Sequence, residues 1–472
     1  MTGDRTAWIG VDLGTQSVRS VLAGIDGTVL ARATAPLTST RHQGRHEQDP
    51  SAWLAAVDRT LAEVVAAKPA ADIQGIAICS TSGTVLLTDG TGRPTTTALM
   101  YDDDRAAELL PRIVAADRRR WATEMQPTWA LPKVLWLLAE HRDRQARVAH
   151  SADVVAAHLV GHPVPTDTSH ALKTGYDLVA DRWPTEAFDE IGLGSDSLPE
   201  VVLPGTELGR VGRANAQLAG VPVYAGMTDG CAAQIAAGAL APGAWNSVLG
   251  TTLVLKGVSK DLLNDPTGAV YSHRHPDGGW LPGGASNTGA GALTTMLPGA
   301  DLDALDRAAR ALGPIQAAIY PLTKTGERFP FVAPAAERFE LGEFPDELHR
   351  YAGVLQGVAF IERLAFEHLE RLGAEPVRSV SLTGGAVRSG YWCQLRADVL
   401  GVPVELPASP DPAYGMAVLA ASAGTSVTET ARRMVRTERV LEPSRQDSLN
   451  HLYGEFVAEL DRRGYLRAVE QR

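Results

Sequence analysis

The sequence predicts an α/β fold of two large lobes, each built on a mixed β-sheet. Three observations predict it. Short apolar strands alternate with helical stretches along the whole chain. Near the N-terminus three strands precede a helix and a further strand, an order that gives a sheet with both antiparallel and parallel pairs. The Gly14-Thr15 turn between two strands returns as Gly250-Thr251, as two related lobes around one cleft would show.

The elements follow in order. Residues 7–13 and 18–24 read as strands that meet at the tight turn Gly14-Thr15-Gln16-Ser17. A third strand follows the turn at 25–28. Residues 50–67 read as a helix, with Asp49 as N-cap and Pro50 in the first turn, where its missing N–H costs nothing. Residues 73–79 form another apolar strand. The stretch from about 104 to 160 reads as mostly helical. A strand at 221–225 and a helix at 230–239 close the first lobe. The second lobe starts near 244 with strand, Gly-Thr-Thr turn and strand. Helices follow near 301–313 and 347–373, then a strand ending in Gly384-Gly385, a helix at 390–400 and a short strand at 402–406. The expected division is 1–235, 236–440 and a helical tail at 441–472.

The bulk numbers narrow the function classes. A chain of 472 residues can hold two large domains with substantial cores. Its net charge of −11 repels phosphate backbones and anionic lipid, so nucleic acid and membrane partners are not expected. Cys79, Cys231 and Cys393 are odd in number and widely spaced, which fits neither a disulfide framework nor a zinc site. They read as buried free thiols in a reducing cytoplasm. No secretory pattern opens the chain, and no apolar run reaches the ~18 residues of a membrane span.

Four segments carry chemistry. In 10–20, Gly14 lets backbone N–H groups face an anion, Thr15 and Ser17 add hydroxyls, and Arg19 adds positive charge. Asp12, at the strand end beside this turn, can hold a hydrated Mg²⁺. A plain polar hairpin explains the glycine but not this clustering. In 223–240 a strand ends and Asp229 opens a small-residue helix, either as a group presented to a cleft or as a simple N-cap. In 247–255, Gly250, Thr251 and Thr252 offer a second anion-binding turn. In 381–404, Gly384 and Gly385 allow a flat ring or a phosphate to approach the backbone, although a common βαβ unit with a glycine turn reads the same way.

Taken in order, GVDLGTQSVR, HEQDPSAW, TDG before a helix, LGTT and GGAVRSGYWCQLRADVLGVPV resemble the FGGY carbohydrate kinases of the actin-like ATPase superfamily. The resemblance runs from about 8 to 425. It implies two actin-like, ribonuclease-H-like domains with ATP and a sugar in the cleft between them. It also implies that Asp229 is the catalytic base and that Asp12 and Asp229 hold Mg²⁺. Gly14, Thr15, Gln16, Ser17, Arg19, Gly250, Thr251 and Thr252 would surround the phosphates. Gly384, Gly385 and Ser389 would lie against the adenosine, with Ser389 standing where many relatives carry Asn. A homodimer in the cytoplasm is among the states it leaves open.

The acceptor is read from smaller segments. Xylulose kinases of the family usually carry Gln-Met-His-Gly after the fourth strand, whereas this chain has Cys79-Ser80-Thr81-Ser82-Gly83. The wall is smaller and donates through hydroxyls at Thr81 and Ser82. Residues 98–106, 169–178, 268–274, 283–292 and 320–331 resemble the D-ribulokinase branch of plants and cyanobacteria. Asp103 lies in the first of these segments and is expected to bind the sugar, together with Asp12, Thr81, Ser82 and Asp229. Asp102 stands where an Asn is common. D-ribulose is therefore the expected acceptor. D-xylulose, another polyol such as glycerol or erythritol, and a non-catalytic sensor on the same fold are the alternatives. A sensor has no need of a base, so Asp12, Asp229 and the two turns count against it.

Two patterns are set aside. His141-Arg142-Asp143 matches a protein-kinase triplet but lacks that family's Asn and Asp-Phe-Gly, so it reads as a solvated helix end. His273 and His275 are spaced as strand ligands could be, yet with only Asp277 nearby they read as loop residues. The chain has no phosphate loop of the GxxxxGK[ST] type.

Overall fold

A computed structural model describes residues 5–121, 125–141, 145–213, 215–444 and 446–466. The chain divides into two compact units. Unit 1 takes residues 1–238, 273–278 and 409–436, and unit 2 takes 239–272, 279–408 and 437–472. The first division lies beside the expected boundary at 235/236. The segment 409–436, in contrast, returns from the second half of the sequence to pack in unit 1.

Unit 1 is built on a six-stranded mixed sheet. Its strands are β1 (Thr6–Leu13), β2 (Ser17–Gly24), β3 (Val29–Pro36), Asp72–Ser80, Pro222–Tyr224 and Glu207–Arg210. β1 pairs antiparallel with β2 and parallel with Asp72–Ser80, which in turn pairs parallel with Pro222–Tyr224. Helix α1 (Pro50–Ala67) starts as expected, with the Asp49 carboxylate accepting from Ser51 N–H at 2.9 Å. It buries Trp53, Val57, Leu61 and Val64 along one face, in the same core as Val11, Leu22 and Ile78. Burying each of the three aliphatic side chains contributes about 1.5–3 kcal/mol.

Helix Pro412–Ala421 packs so closely on β1 that a Cβ on Gly10 would lie 1.8 Å from Ala413 O. Helix Asp229–Ala236 packs on Pro412–Ala421 at Gly415, where a Cβ would lie 2.0 Å from Ala232 O. Gly10 and Gly415 are therefore needed for backbone approach.

A second, five-stranded sheet of unit 1 joins Thr40–His42, Arg45–Gln48, Ala98–Leu99, Val85–Thr88 and Arg147–His150. The region expected to be mostly helical thus contains the strand Arg147–His150. Its four residues are too few to show a period-2 pattern between two helices. Of the kinase-like triplet, His141 ends helix Ala130–His141, while Arg142 and Asp143 lie outside the described residues.

Unit 2 repeats the arrangement. Ala244–Leu249 pairs antiparallel with Leu253–Gly257 and parallel with Ser379–Thr383. The full order is Tyr271–Arg274, Trp280–Ala285, Leu253–Gly257, Ala244–Leu249, Ser379–Thr383, Val404–Pro407, Thr437–Leu441, and the division between units falls within the first of these strands. The long helix Glu347–Arg371 runs through the core, where a Cβ on Gly357 would lie 1.7 Å from Ile319 O. A buried Arg396–Glu362 ion pair at 2.7 Å also reaches Ser247 Oγ at 2.7 Å. Helix Asp447–Arg462 docks through Leu449, Leu452, Phe456 and Leu460.

The placement of His273 as a loop residue is corrected, while His275 lies outside any strand or helix, as expected. His273 belongs to the buried strand Tyr271–Arg274, and His275 is buried just beyond it, its Nδ1 accepting from Asp277 N–H at 3.0 Å. A four-residue strand beside a turn gives too little alternation to be read from sequence.

Candidate active site

In unit 1 the parallel strands β1 and Asp72–Ser80 end side by side, with Asp12 opposite Cys79 and Leu13 opposite Ser80. An isolated bridge pairs Ser80 with Thr228, the residue before Asp229. Three adjoining parallel segments of the mixed sheet therefore carry Asp12, Cys79-Ser80 and Thr228-Asp229 at their C-terminal ends, where α/β folds place their chemistry.

Asp12 is only 3% exposed. It accepts from Arg19 Nη1 at 3.1 Å and from the Cys79 thiol at 3.6 Å. Burial, and then the Asp229 carboxylate, push its pKa up to about 6 against the pull of Arg19 and Cys79. Burial and the Asp12 charge raise the Cys79 thiol well above its ordinary value, so it stays protonated and donates. All three cysteines are buried, and none forms a disulfide. Asp229 is the first residue of its helix and partly exposed, and its Oδ1 accepts from Gly230 N–H at 2.8 Å.

A buried carboxylate whose proton affinity is raised by a second one is what a cation would relieve. Among the described residues, no group of three or more His, Cys, Asp or Glu side chains is arranged to hold a metal ion. Two carboxylates nevertheless suit Mg²⁺, which keeps several waters and takes few protein ligands.

The Gly14–Ser17 turn closes on Gly14 N–H to Ser17 O at 3.1 Å. It is braced by a residue that the sequence reading did not single out. Gln48 donates from Nε2 to Thr15 O at 2.6 Å and to Ser39 Oγ at 2.8 Å, while its Oε1 accepts from Trp53 Nε1 at 2.6 Å. The HEQDPSAW segment thus sets the turn from below. The signal was its co-occurrence with that turn. Gln16 and Arg19 are exposed, Thr15 is partly exposed and Ser17 is buried.

Thr81 is buried and its hydroxyl pairs with Thr84 Oγ1 at 2.6 Å. Ser82 Oγ is enclosed and has no hydrogen-bond partner, while Ser82 O accepts from Lys173 Nζ at 3.3 Å. The segment 169–178 therefore contacts the 79–83 wall directly. Asp103 is fully buried and employed within the protein. It accepts from His46 N–H at 2.7 Å and from the Arg105 guanidinium at 2.7–3.1 Å. Asp102 meets His46 Nδ1 at 2.5 Å and Arg41 Nη1 at 2.9 Å. Burial opposes its charge, but those two partners outweigh it and lower its pKa.

In unit 2 the equivalent edge carries Gly250–Thr252 and Gly384-Gly385. Gly250 N–H donates to Thr252 O at 3.1 Å. The 283–292 segment packs beneath this turn, and a Cβ on Gly289 would lie 2.4 Å from Thr251 O. Gly384 has φ +88 and approaches Leu249 O so closely that a Cβ would lie 2.6 Å away, while Gly385 faces open space. Ser389 caps helix Gly390–Leu400 by accepting from Trp392 N–H at 2.9 Å, and its hydroxyl donates to Asp306. No helix among the described residues is long and apolar enough to cross a membrane.

Residues 7–236 match the N-terminal domain of the FGGY family of carbohydrate kinases, and residues 245–424 match its C-terminal domain. A xylulose kinase of Escherichia coli is 30% identical over 439 residues, covering 88% of this chain and 89% of that protein. A xylulose kinase of Klebsiella pneumoniae is 28% identical, again covering 88% and 89%. The crystal structure of a kinase from Brucella ovis, titled a xyloylose kinase, superposes with a TM-score of 0.88 at 27% identity over 98% of this chain and 100% of that one.

Proposed function

Because the chain belongs to the FGGY family of carbohydrate kinases, a family of phosphotransferases on the two-domain actin-like ATPase fold, we propose that it transfers the γ-phosphoryl group of ATP to the terminal hydroxyl of a pentulose, D-ribulose ahead of D-xylulose. The observation that carries the reading is the Asp12–Asp229 pair at three adjoining strand ends, with the Asp12 carboxyl held at about 6.

Asp229 accepts the proton of the attacking sugar hydroxyl. A carboxylate suffices because proton loss is late in a loose transition state, where positioning and charge neutralisation do most of the work. Asp12 and Asp229 are the residues that would hold Mg²⁺, which when bound supplies neutralising charge to the phosphate oxygens. The turns at 14–17 and at 250–252 each offer hydroxyl groups of a kind that suits phosphate oxygens. Gly385, facing open space, and its neighbour Gly384 leave room for the nucleoside.

D-ribulose is placed first because the 80–83 wall offers hydroxyls and no imidazole or carboxamide. The names of the relatives favour D-xylulose as the second reading. The deciding experiment measures ADP release with Mg-ATP against D-ribulose, L-ribulose, D-xylulose, L-xylulose, ribitol, erythritol, glycerol and no sugar. A higher kcat/KM with D-ribulose than with D-xylulose supports the first order, and the reverse replaces it. Loss of stimulation by every sugar removes the kinase reading for these acceptors.

A further inference from the structure

Asp167 is 3% exposed and lies between two segments of unit 1 that end at the active-site edge. Its Oδ1 accepts from Ser169 N–H at 2.8 Å, from Ser169 Oγ–H at 2.6 Å and from His170 N–H at 3.2 Å, and its Oδ2 meets His170 Nδ1. Ser169 Oγ, with its proton committed to Asp167, accepts from Thr228 N–H at 2.8 Å. His170 Nε2 lies 2.8 Å from Ser80 Oγ, which also accepts from Ser151 Oγ–H at 2.9 Å. The two outer arms of this network therefore end on Thr228 and Ser80, the residues that form the isolated bridge. Asp229 follows Thr228 directly, and Cys79, the donor to Asp12, directly precedes Ser80.

We propose that the Ser169–Asp167–His170 network is a positioning device that fixes the Asp229 carboxylate relative to Asp12. The inference rests on the reading of Asp229 as the base. Thr228 is the N-cap of the helix that Asp229 opens, but its side chain makes no capping hydrogen bond. The Ser169 hydroxyl instead holds the Thr228 N–H, in the Met227–Thr228 peptide, and so fixes the backbone that leads directly into Asp229. Burial opposes charge on His170 and Asp167, but their mutual attraction prevails: the pKa of His170 is raised and that of Asp167 lowered. An ion pair of this kind resists rotation of either ring or carboxylate. The alignment of Ser80, His170 and Asp167 superficially matches a nucleophile triad. Ser80 and His170 are fully buried, however, so no substrate reaches the serine.

The test uses the full-length enzyme with Mg-ATP and whichever of D-ribulose or D-xylulose the wild type turns over faster. Ser169→Ala removes the acceptor for Thr228 N–H, and Ser169→Thr restores a hydroxyl. The expected result is a loss in kcat of roughly tenfold to hundredfold in Ser169→Ala, as a sub-ångström to ångström misplacement of a reacting group gives. The KM values for ATP and sugar stay near wild type, and most of the loss returns in Ser169→Thr. In an Asp229→Asn background the further loss from Ser169→Ala disappears, because residues that act as a unit are not additive. Full kcat in Ser169→Ala, or an equal loss in both backgrounds, overturns the positioning role. Near wild-type kcat in Asp229→Asn alone overturns the base assignment instead, so the two failures are told apart. A thermal midpoint measured for each variant separates lost folding from lost alignment: a kcat deficit that vanishes when corrected for folded fraction also overturns the proposal.

Discussion

The 14–17 turn of unit 1 and the 250–252 turn of unit 2 are the same construction with different chemistry. Each joins an antiparallel pair whose first strand also pairs in parallel with a third strand ending beside it. Two residues before the glycine, unit 1 has Asp12 and unit 2 has the partly buried Val248. Where unit 1 has Arg19, unit 2 has the buried Leu255. The two turns are also braced differently. Polar contacts from Gln48 hold the first, whereas glycine-rich backbone packed beneath it holds the second. The backbone construction is thus shared, whereas the carboxylates of Asp12 and Asp229 are confined to unit 1.

The largest expected effect tests that confinement. Asp229→Ala is expected to lower kcat by about 10²–10⁴-fold, the usual worth of a general base, while ATP binding by calorimetry stays near wild type. Retention of more than about a tenth of wild-type kcat, under ~1.4 kcal/mol of barrier, removes Asp229 from that role.

Asp12→Asn is expected to reduce Mg²⁺-dependent turnover and, at the same time, to stabilise the fold. A carboxyl whose pKa is raised to about 6 from 3.8 binds its proton more tightly when folded, so its ionised form costs stability. That cost grows as pH rises from ~4 to ~6 and is complete above 6, at about 3 kcal/mol. Urea unfolding without Mg²⁺ should therefore show a gain for the variant at pH 8 and much less near pH 4.5. A constant difference across that range would contradict the electrostatic cause.

The bracing difference gives a third prediction. Gly289→Ala should cost about 1–3 kcal/mol of stability, because its Cβ would strike Thr251 O. Gly14→Ala, whose nearest obstacle is Ser17 O at 3.2 Å, should cost much less. Comparable losses in thermal unfolding would show that both turns are limited by backbone packing. The smallest effect is expected at Ser389→Ala, which loses an N-cap worth about 1 kcal/mol. If Ser389→Ala instead raises the KM for ATP with unchanged stability, its hydroxyl serves the nucleotide rather than the helix.

Much of the fold was legible from local pattern. β1, β2, α1 and the 390–400 helix stand where alternation, capping residues and glycine placed them, because these signals act over a few residues. The five-stranded side sheet was not legible. Its strands run from two to four residues, and beyond the hairpin formed by the first two they pair with segments farther along the chain.

Of the site, the sequence by itself determined the residue types. It supplied two glycine turns, an aspartate at a strand end and another opening a helix, and an order of segments that belongs to one family. Only the tertiary structure decided which of them meet. It brought Asp12, Cys79, Ser80 and Thr228-Asp229 to one edge through strand pairings between distant segments. It also tied Gln48 to the first turn and Ser169, held by Asp167, to the Thr228 N–H. It engaged Asp103 and the Ser389 hydroxyl in internal hydrogen bonds. The physical reason is that a hydrogen-bond donor or acceptor in the chain records what it can bind, while its actual partner is set by burial and by strands distant in sequence.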